Sequence, residues 1–347
     1  MTWRTALGGL AGLVAAVAWA LASARYMPIM QPTGFWLTDD GMSYPNIASN
    51  NTYWPREIRH LAILLAFAAV VLVVGWSGRV LAVGALASLG WLAADLALDR
   101  ADVSGWSAVA ALAAGAVLLT AATAALAGRL ARGEQGSAVV RHVVAGTAAL
   151  LAVACLVVVT PWDSPATPVE IRTEAELTAV KSVLAVLFAA IAAVVVGRPA
   201  RNTALALGAA GVATVAGAIA VADDMGPLFG QVVPLAVIAS MIAVAAPRVH
   251  GAFPLLGLTV LGVFAVFASV AVLFVFGMLV GGTMTELAGN PPVNGADSDI
   301  ALGPAALGIG VALSLFSYLV TMRPAPQDAP VGPVPAGPAP ADPASAR

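Results

Sequence analysis

The chain has 347 residues, of which 60% are hydrophobic and only 10% are charged, and its mean hydropathy is +0.93. Soluble domains carry about a quarter charged residues, so this composition excludes a soluble enzyme, a disordered protein and a nucleic-acid binder. The sequence therefore predicts an all-α integral membrane protein, a polytopic helix bundle.

Ten segments are apolar and long enough to cross about 30 Å of hydrocarbon as helices. Thr173 and Glu176 have the spacing of a capping box that opens the sixth of them. The proline-rich residues 323–347 are predicted to form a disordered cytoplasmic tail after a transmembrane domain of residues 1–322. The predicted spans lie near 6–24, 57–77, 80–98, 106–127, 143–160, 177–197, 203–222, 227–246, 253–281 and 301–321.

The distribution of lysine and arginine orients these spans, because cytoplasmic loops retain positive charge during insertion. With the N-terminus inside, the inner side sums to +7 and the outer side to −9. We therefore expect both termini to be cytoplasmic, in a bacterial cytoplasmic membrane. The alanine- and valine-rich, lysine-poor composition is typical of actinobacterial proteins. Ala22-Ser23-Ala24 also fits a signal-peptide cleavage site, but the long apolar stretch before it favours an uncleaved helix.

Residues that usually carry metal, redox or nucleotide chemistry are scarce. Cys155 is the only cysteine, the three histidines fall at the ends of apolar runs, and no phosphate-binding glycine motif occurs. We therefore expect no cofactor and no metal.

The first outer loop, predicted over 25–56, is rich in aromatic and acidic residues, among them Trp36, Tyr44, Trp54, Asp39 and Asp40. One interpretation is a lid whose aromatic side chains lie at the level of the lipid headgroups. The other is a substrate-facing surface in which Asp39 or Asp40 is a general base or a cation ligand.

The pair Asp39-Asp40 lies about fifteen residues after a membrane helix and is followed by Tyr44, and this pattern resembles the first outer loop of GT-C glycosyltransferases. That resemblance implies a catalytic aspartate in this loop and a sugar donor on a polyprenyl phosphate, held by basic residues at the outer membrane edge. The ten-span plan with both termini inside also resembles drug/metabolite carriers. Candidates for the phosphate-holding role are Arg25, Arg56, Arg59, Arg100, Arg172 and Lys181.

A second acidic group ends the third span. Asp95, Asp99 and Asp102 share one helix face if the helix continues to Asp102. Carboxylates at this spacing repel each other, so the group needs a bound cation, the nearby Arg100 or a proton held on one member. Asp95 is expected to be the only acid inside a span. It is either a proton or cation entry site or part of an ordinary hydrated helix end. Because no glutamate, lysine, arginine or histidine is expected mid-span, a strongly proton-coupled antiporter is disfavoured.

These observations predict a transporter-like or membrane-accessory protein. The alternatives are a lipid-linked glycosyltransferase that uses Asp39 or Asp40, and a non-catalytic subunit of a membrane complex. Expected partners are the lipid bilayer, a small solute or a polyprenyl-phosphate lipid, and other membrane subunits, but no nucleic acid. The candidate binding residues are Trp36, Tyr44, Trp54, Arg56, Arg59, Asp95, Asp99 and Arg100.

Overall fold

The computed structural model describes residues 2–30, 35–37, 43–45, 54–158, 167–196, 275, 282–289 and 302–321. Apart from one short hairpin, the regular structure in these ranges is helical. The elements are α1 (Trp3–Leu21), a π-helical turn (Ala22–Tyr26), α2 (Met27–Met30), β1 (Phe35–Leu37), β2 (Ser43–Pro45), α3 (Trp54–Val74), α4 (Gly78–Arg100), α5 (Trp106–Leu130), α6 (Ala138–Val157), α7 (Pro168–Val196), α8 (Gly282–Leu287) and α9 (Leu302–Thr321).

Seven helical stretches within the described ranges are long and apolar enough to cross a membrane. They coincide with seven of the predicted spans, and the chain is a multi-pass membrane protein. The predicted spans at 203–222, 227–246 and 253–281 lie outside the described residues, Val275 excepted, and so does the predicted tail. The seven stretches are Trp3–Ile29, Trp54–Val74, Gly78–Arg100, Trp106–Leu130, Ala138–Cys155, Pro168–Val195 and Leu302–Leu319.

The predicted outer loop overlaps helices at both of its ends. The first helix continues through the π-helical turn to Met30, and α3 already begins at Trp54. Between them, β1 and β2 form an antiparallel pair in which Trp36 lies opposite Tyr44. Asp39 and Asp40 lie outside the described residues.

The start of α7 differs from the predicted one. The Thr167 N–H donates to Glu170 Oε2 at 3.1 Å, and the Glu170 N–H donates to Thr167 Oγ1 at 3.2 Å, which is the reciprocal geometry of a capping box. Pro168 takes the first helical position, where its missing N–H costs nothing. The prediction that Thr173 opens this helix was wrong, because Thr173 lies inside α7 and is buried.

The bundle has two polar ends, and we call the one where α1 begins the Arg4 end. There the Arg4 guanidinium lies 4.3 Å from the centroid of the Trp76 ring, at the turn between α3 and α4. Helix α6 also begins at this end, since the Ser137 N–H donates to the Trp76 carbonyl. Helix α9 is antiparallel to α6, with Ser317 Oγ 2.8 Å from His142 Nε2. The first residues of α1 and the last of α9 therefore lie at the same end.

Small residues allow the helices to approach closely, as the sequence predicts for membrane bundles. A Cβ added at Gly8 of α1 would lie 2.5 Å from Val73 Cγ2 of α3. One added at Gly310 of α9 would lie 3.0 Å from the Cα of Thr147 in α6. These contacts hold α1 against α3 and α9 against α6, and so position the residues at the opposite end of the bundle, which we call the Arg56 end.

Candidate functional site

Four charged side chains at the Arg56 end form a buried group that we call the Arg–Asp cluster: Arg56, Arg59, Asp95 and Asp99. Helix α3 supplies the two arginines from adjacent turns of one face, and α4 supplies the two aspartates in the same way. Each of the four residues is at most 5% exposed. Two positive and two negative charges make the cluster neutral overall.

Asp99 is the centre of the cluster. Its Oδ2 accepts a hydrogen bond from Arg56 Nε at 2.8 Å and another from Arg59 Nη2 at 2.9 Å. One carboxylate oxygen therefore holds both guanidinium groups. Arg56 also reaches α8, where its Nη1 donates to Thr285 Oγ1 at 3.0 Å.

Asp95 lies one turn deeper in α4 than Asp99. Its Oδ1 accepts a hydrogen bond from Trp19 Nε1 at 2.7 Å and lies 3.4 Å from Arg59 Nε. Trp19 is 4% exposed and packs edge-on against Trp91. The indole N–H explains this position, since it satisfies a buried carboxylate.

Among the cluster's polar atoms, Asp95 Oδ2 and Arg59 Nη1 have no hydrogen-bond partner in the described part of the chain, and Arg59 Nε has only its 3.4 Å ion-pair contact with Asp95 Oδ1. Buried polar atoms in folded proteins are almost always hydrogen-bonded, and exceptions call for a water, an ion or a ligand. These acceptor and donor atoms belong to two side chains that already contact each other through Asp95 Oδ1 and Arg59 Nε.

The energetic cost of this arrangement is high. Charged groups taken out of water lose several kcal/mol of solvation each, and their mutual attraction offsets this only with good geometry. Ionisable residues inside spans are therefore rare and mark functional sites by default. The Arg–Asp cluster is the strongest candidate site in the part of the chain that the structure describes.

Part of the predicted acidic group is not in this cluster. Helix α4 ends at Arg100, and Asp102 follows it with φ 50°, so the predicted stack of three aspartates on one face was wrong. Arg100 is exposed, and the cations that neutralise Asp95 and Asp99 are instead those of α3. The sequence contained both arginines as candidates, but it gave no sign of their partners.

The aromatic candidates lie on the hairpin and at the start of α3. Trp36 and Tyr44 lie on the two strands of the hairpin. Trp54 opens α3 and is 1% exposed, and its indole nitrogen has no hydrogen-bond partner among the described residues.

Asp95 was predicted to be the only acid within a span, and this was wrong. Glu57 lies in α3 and is fully buried, with its carboxylate accepting from the backbone N–H groups of Leu302 at 3.2 Å and Gly303 at 3.0 Å. It thus caps the N-terminus of α9 from another helix. The sequence contained a sign that α9 is capped from elsewhere. The two residues before Leu302 are Ile300 and Ala301, and neither has a side chain that can cap a helix.

Two other basic candidates already have protein partners. Lys181 is buried inside α7, and its Nζ donates to the carbonyl of Val158, just past the end of α6, at 2.9 Å. Arg25 Nε lies 3.4 Å from Glu176 Oε2, and its guanidinium lies over the ring of Trp106.

Within the described ranges, no three histidine, cysteine, aspartate or glutamate side chains come together in a way that could hold a metal ion. Comparison of the chain with protein families, with curated proteins and with solved structures finds no match.

Proposed function

We propose that this protein is a transporter-like membrane bundle whose functional centre is the Arg–Asp cluster. The observation that supports this most is a neutral set of four buried charges shared between two spans, in which atoms of Asp95 and Arg59 have no hydrogen-bond partner among the described residues. Such a set can exchange its internal ion pairs for contacts with a solute without leaving a bare charge in the bilayer. A small solute is the proposed substrate class.

The proposed topology has ten spans and both termini in the cytoplasm of a bacterial cell. Helix α7 starts at the Arg56 end, where Glu176 pairs with Arg25, and its 29 residues carry it towards the Arg4 end. Helix α9 starts again at the Arg56 end, beside Glu57. The chain must therefore cross the membrane an odd number of times between the end of α7 and the start of α9, and three predicted spans meet this requirement. The positive-inside rule makes the Arg4 end cytoplasmic and the Arg56 end external.

A lipid-linked glycosyltransferase is the second proposal, on the resemblance of Asp39, Asp40 and Tyr44 to the GT-C loop. It requires basic side chains that can hold a polyprenyl phosphate. Arg56 and Arg59 are neutralised by Asp95 and Asp99 together, which favours a carrier over this alternative. A non-catalytic subunit, the third proposal, needs no solute access to the cluster at all.

Labelling of a single cysteine beside the cluster tests the carrier. In a Cys155→Ala background, Thr285→Cys replaces the fully buried hydroxyl that contacts Arg56. A carrier exposes its binding site to each side of the membrane in turn. We expect a membrane-impermeant maleimide to label this cysteine in both right-side-out and inside-out vesicles.

The matched control is Leu65→Cys, a fully buried apolar position of α3. It should stay unlabelled from either side. Labelling of Thr285→Cys from one side only, or from neither, would contradict a carrier and favour the enzyme or the accessory subunit.

A further inference from the structure

We propose that the Arg–Asp cluster binds one proton and one small monovalent anion together, with Asp95 as the proton site and Arg59 as the anion site. This inference rests on the proposed function and names its substrate class.

The two aspartates are not equivalent. Asp99 accepts two charge-assisted hydrogen bonds on one oxygen, from Arg56 and Arg59. Asp95 accepts one bond from a neutral indole, and its nearest cation is 3.4 Å away at Arg59 Nε. Charge-assisted bonds are about twice as strong as neutral ones. Of the two carboxylates, Asp95 is therefore the one that can give up its charge at the lower cost.

A proton on Asp95 has a direct place to bind and a direct effect on Arg59. The proton binds at Oδ2, which has no hydrogen-bond partner among the described residues. The Arg59 guanidinium then keeps only Asp99, which it shares with Arg56, and the cluster carries one uncompensated positive charge. Its open Nη1 donates to the incoming anion. With one proton and one monovalent anion bound, the cluster is neutral again.

The charged and polar groups that face Asp95 in the described part of the chain are few. They are Trp19 of α1, Arg56 and Arg59 of α3, and Asp99 of α4 itself. Arg56, Arg59 and Asp99 are joined by hydrogen bonds of 2.8 and 2.9 Å, and none of them can move when Asp95 is protonated without breaking one of these bonds. The positive charge that is left when Asp95 is protonated is therefore available to an anion at Arg59 Nη1.

Among the described residues, the other ionisable side chains near the cluster do not contact Arg59. Glu57 caps α9, and His60 packs with its Cβ close to Gly303 of the same helix, on another face of α3. Glu286, which follows Thr285 in α8, is exposed. These groups do not replace Asp95 as the counter-charge of Arg59.

The size of the anion follows from burial. Arg59 is 1% exposed and Asp95 is fully buried. A large or multiply charged anion would have to open the contact between α3 and α4 and would leave net charge in the bundle. A small monovalent anion needs the least space and leaves the bundle neutral.

Proton uptake driven by an anion tests this inference. Protein in lipid nanodiscs receives sodium chloride or sodium nitrate in weakly buffered solution, with sodium gluconate holding the ionic strength constant. These anions bring no proton of their own. We expect uptake of about one proton per bound anion, and an affinity that rises about tenfold for each unit decrease in pH while Asp95 is ionised.

Two variants assign the roles. Asp95→Asn mimics the protonated state, so it should bind chloride or nitrate without proton uptake and with one affinity at every pH. Arg59→Gln should lose binding by at least tenfold, whereas Arg79→Gln, at an exposed pair with Glu134, should match the unmodified protein. If Arg59→Gln does not fold, the comparison with Asp95→Asn still decides.

Four results would overturn the inference. They are no binding of either anion, binding without proton uptake, an Asp95→Asn variant that keeps the pH dependence, and a folded Arg59→Gln variant of full affinity. None of these results changes the expected labelling of Thr285→Cys from both sides, so the carrier proposal can survive all four. One-sided labelling with intact coupled binding would instead remove the carrier and keep the site.

Discussion

Replacing Asp99 with asparagine is expected to lower the free energy of unfolding by about 3–5 kcal/mol, the usual cost of breaking a buried ion pair by removing one partner. The loss is large because one oxygen of Asp99 holds both Arg56 and Arg59. Without it, two guanidinium groups remain buried with the single charge of Asp95. Equilibrium unfolding in mixed detergent micelles, followed by circular dichroism, measures the change.

Two controls accompany this variant. Asp95→Asn should cost less than Asp99→Asn, because Asp95 has only a 3.4 Å ion pair and a bond from neutral Trp19. Glu134→Gln, which breaks a pair exposed at the opposite end, should cost less than about 1 kcal/mol. Equal effects of the two aspartate variants would show that Asp99 is not the centre of the cluster.

The second large effect is expected at Glu57, whose carboxylate caps α9 from α3. Glu57→Ala removes the acceptor of two backbone N–H groups, those of Leu302 and Gly303. Each donor left without an acceptor in a buried site costs about 1–3 kcal/mol, so the two donors together give an expected loss of about 2–6 kcal/mol in unfolding free energy. Hydrogen exchange should rise first at the start of α9.

Glu57→Gln keeps one of the two acceptor oxygens and should show a smaller loss than the alanine variant. Glu176→Ala, in a partly exposed pair with Arg25, serves as the surface control and should have little effect. A Glu57→Ala variant as stable as the Glu176→Ala variant would mean that the carboxylate does not cap α9.

The spans were predictable because each is a run of about twenty apolar residues, and a membrane helix satisfies its own backbone hydrogen bonds. Seven of the ten predicted spans are helices in the described part of the chain. Their ends were harder to place. Helix α7, for example, begins at Pro168 and not at the capping box predicted at Thr173.

The candidate site was predictable only as residue types. Arg56, Arg59, Asp95 and Asp99 were all candidates, but a sequence shows neighbours along a helix and not across two helices. Arg100 was therefore favoured as the neutralising cation because it is close in sequence.

Trp19 is a similar case. Tryptophan near the end of a span usually lies at the interface, and only the position of Asp95 explains why this one is buried. The same limitation hid the role of Glu57, whose partners begin 245 residues further along the chain.

The central claim is that Arg56, Arg59, Asp95 and Asp99 act as one interacting cluster, and a double-mutant cycle between Asp99→Asn and Arg59→Gln tests it most directly. The unfolding free energies of both single variants and of the double variant are measured in the same micelles. Because the two residues are bonded at 2.9 Å in a buried site, the second substitution should relieve much of the cost of the first. We predict a coupling free energy of about 1–3 kcal/mol. Additive losses, with no coupling, would contradict the cluster.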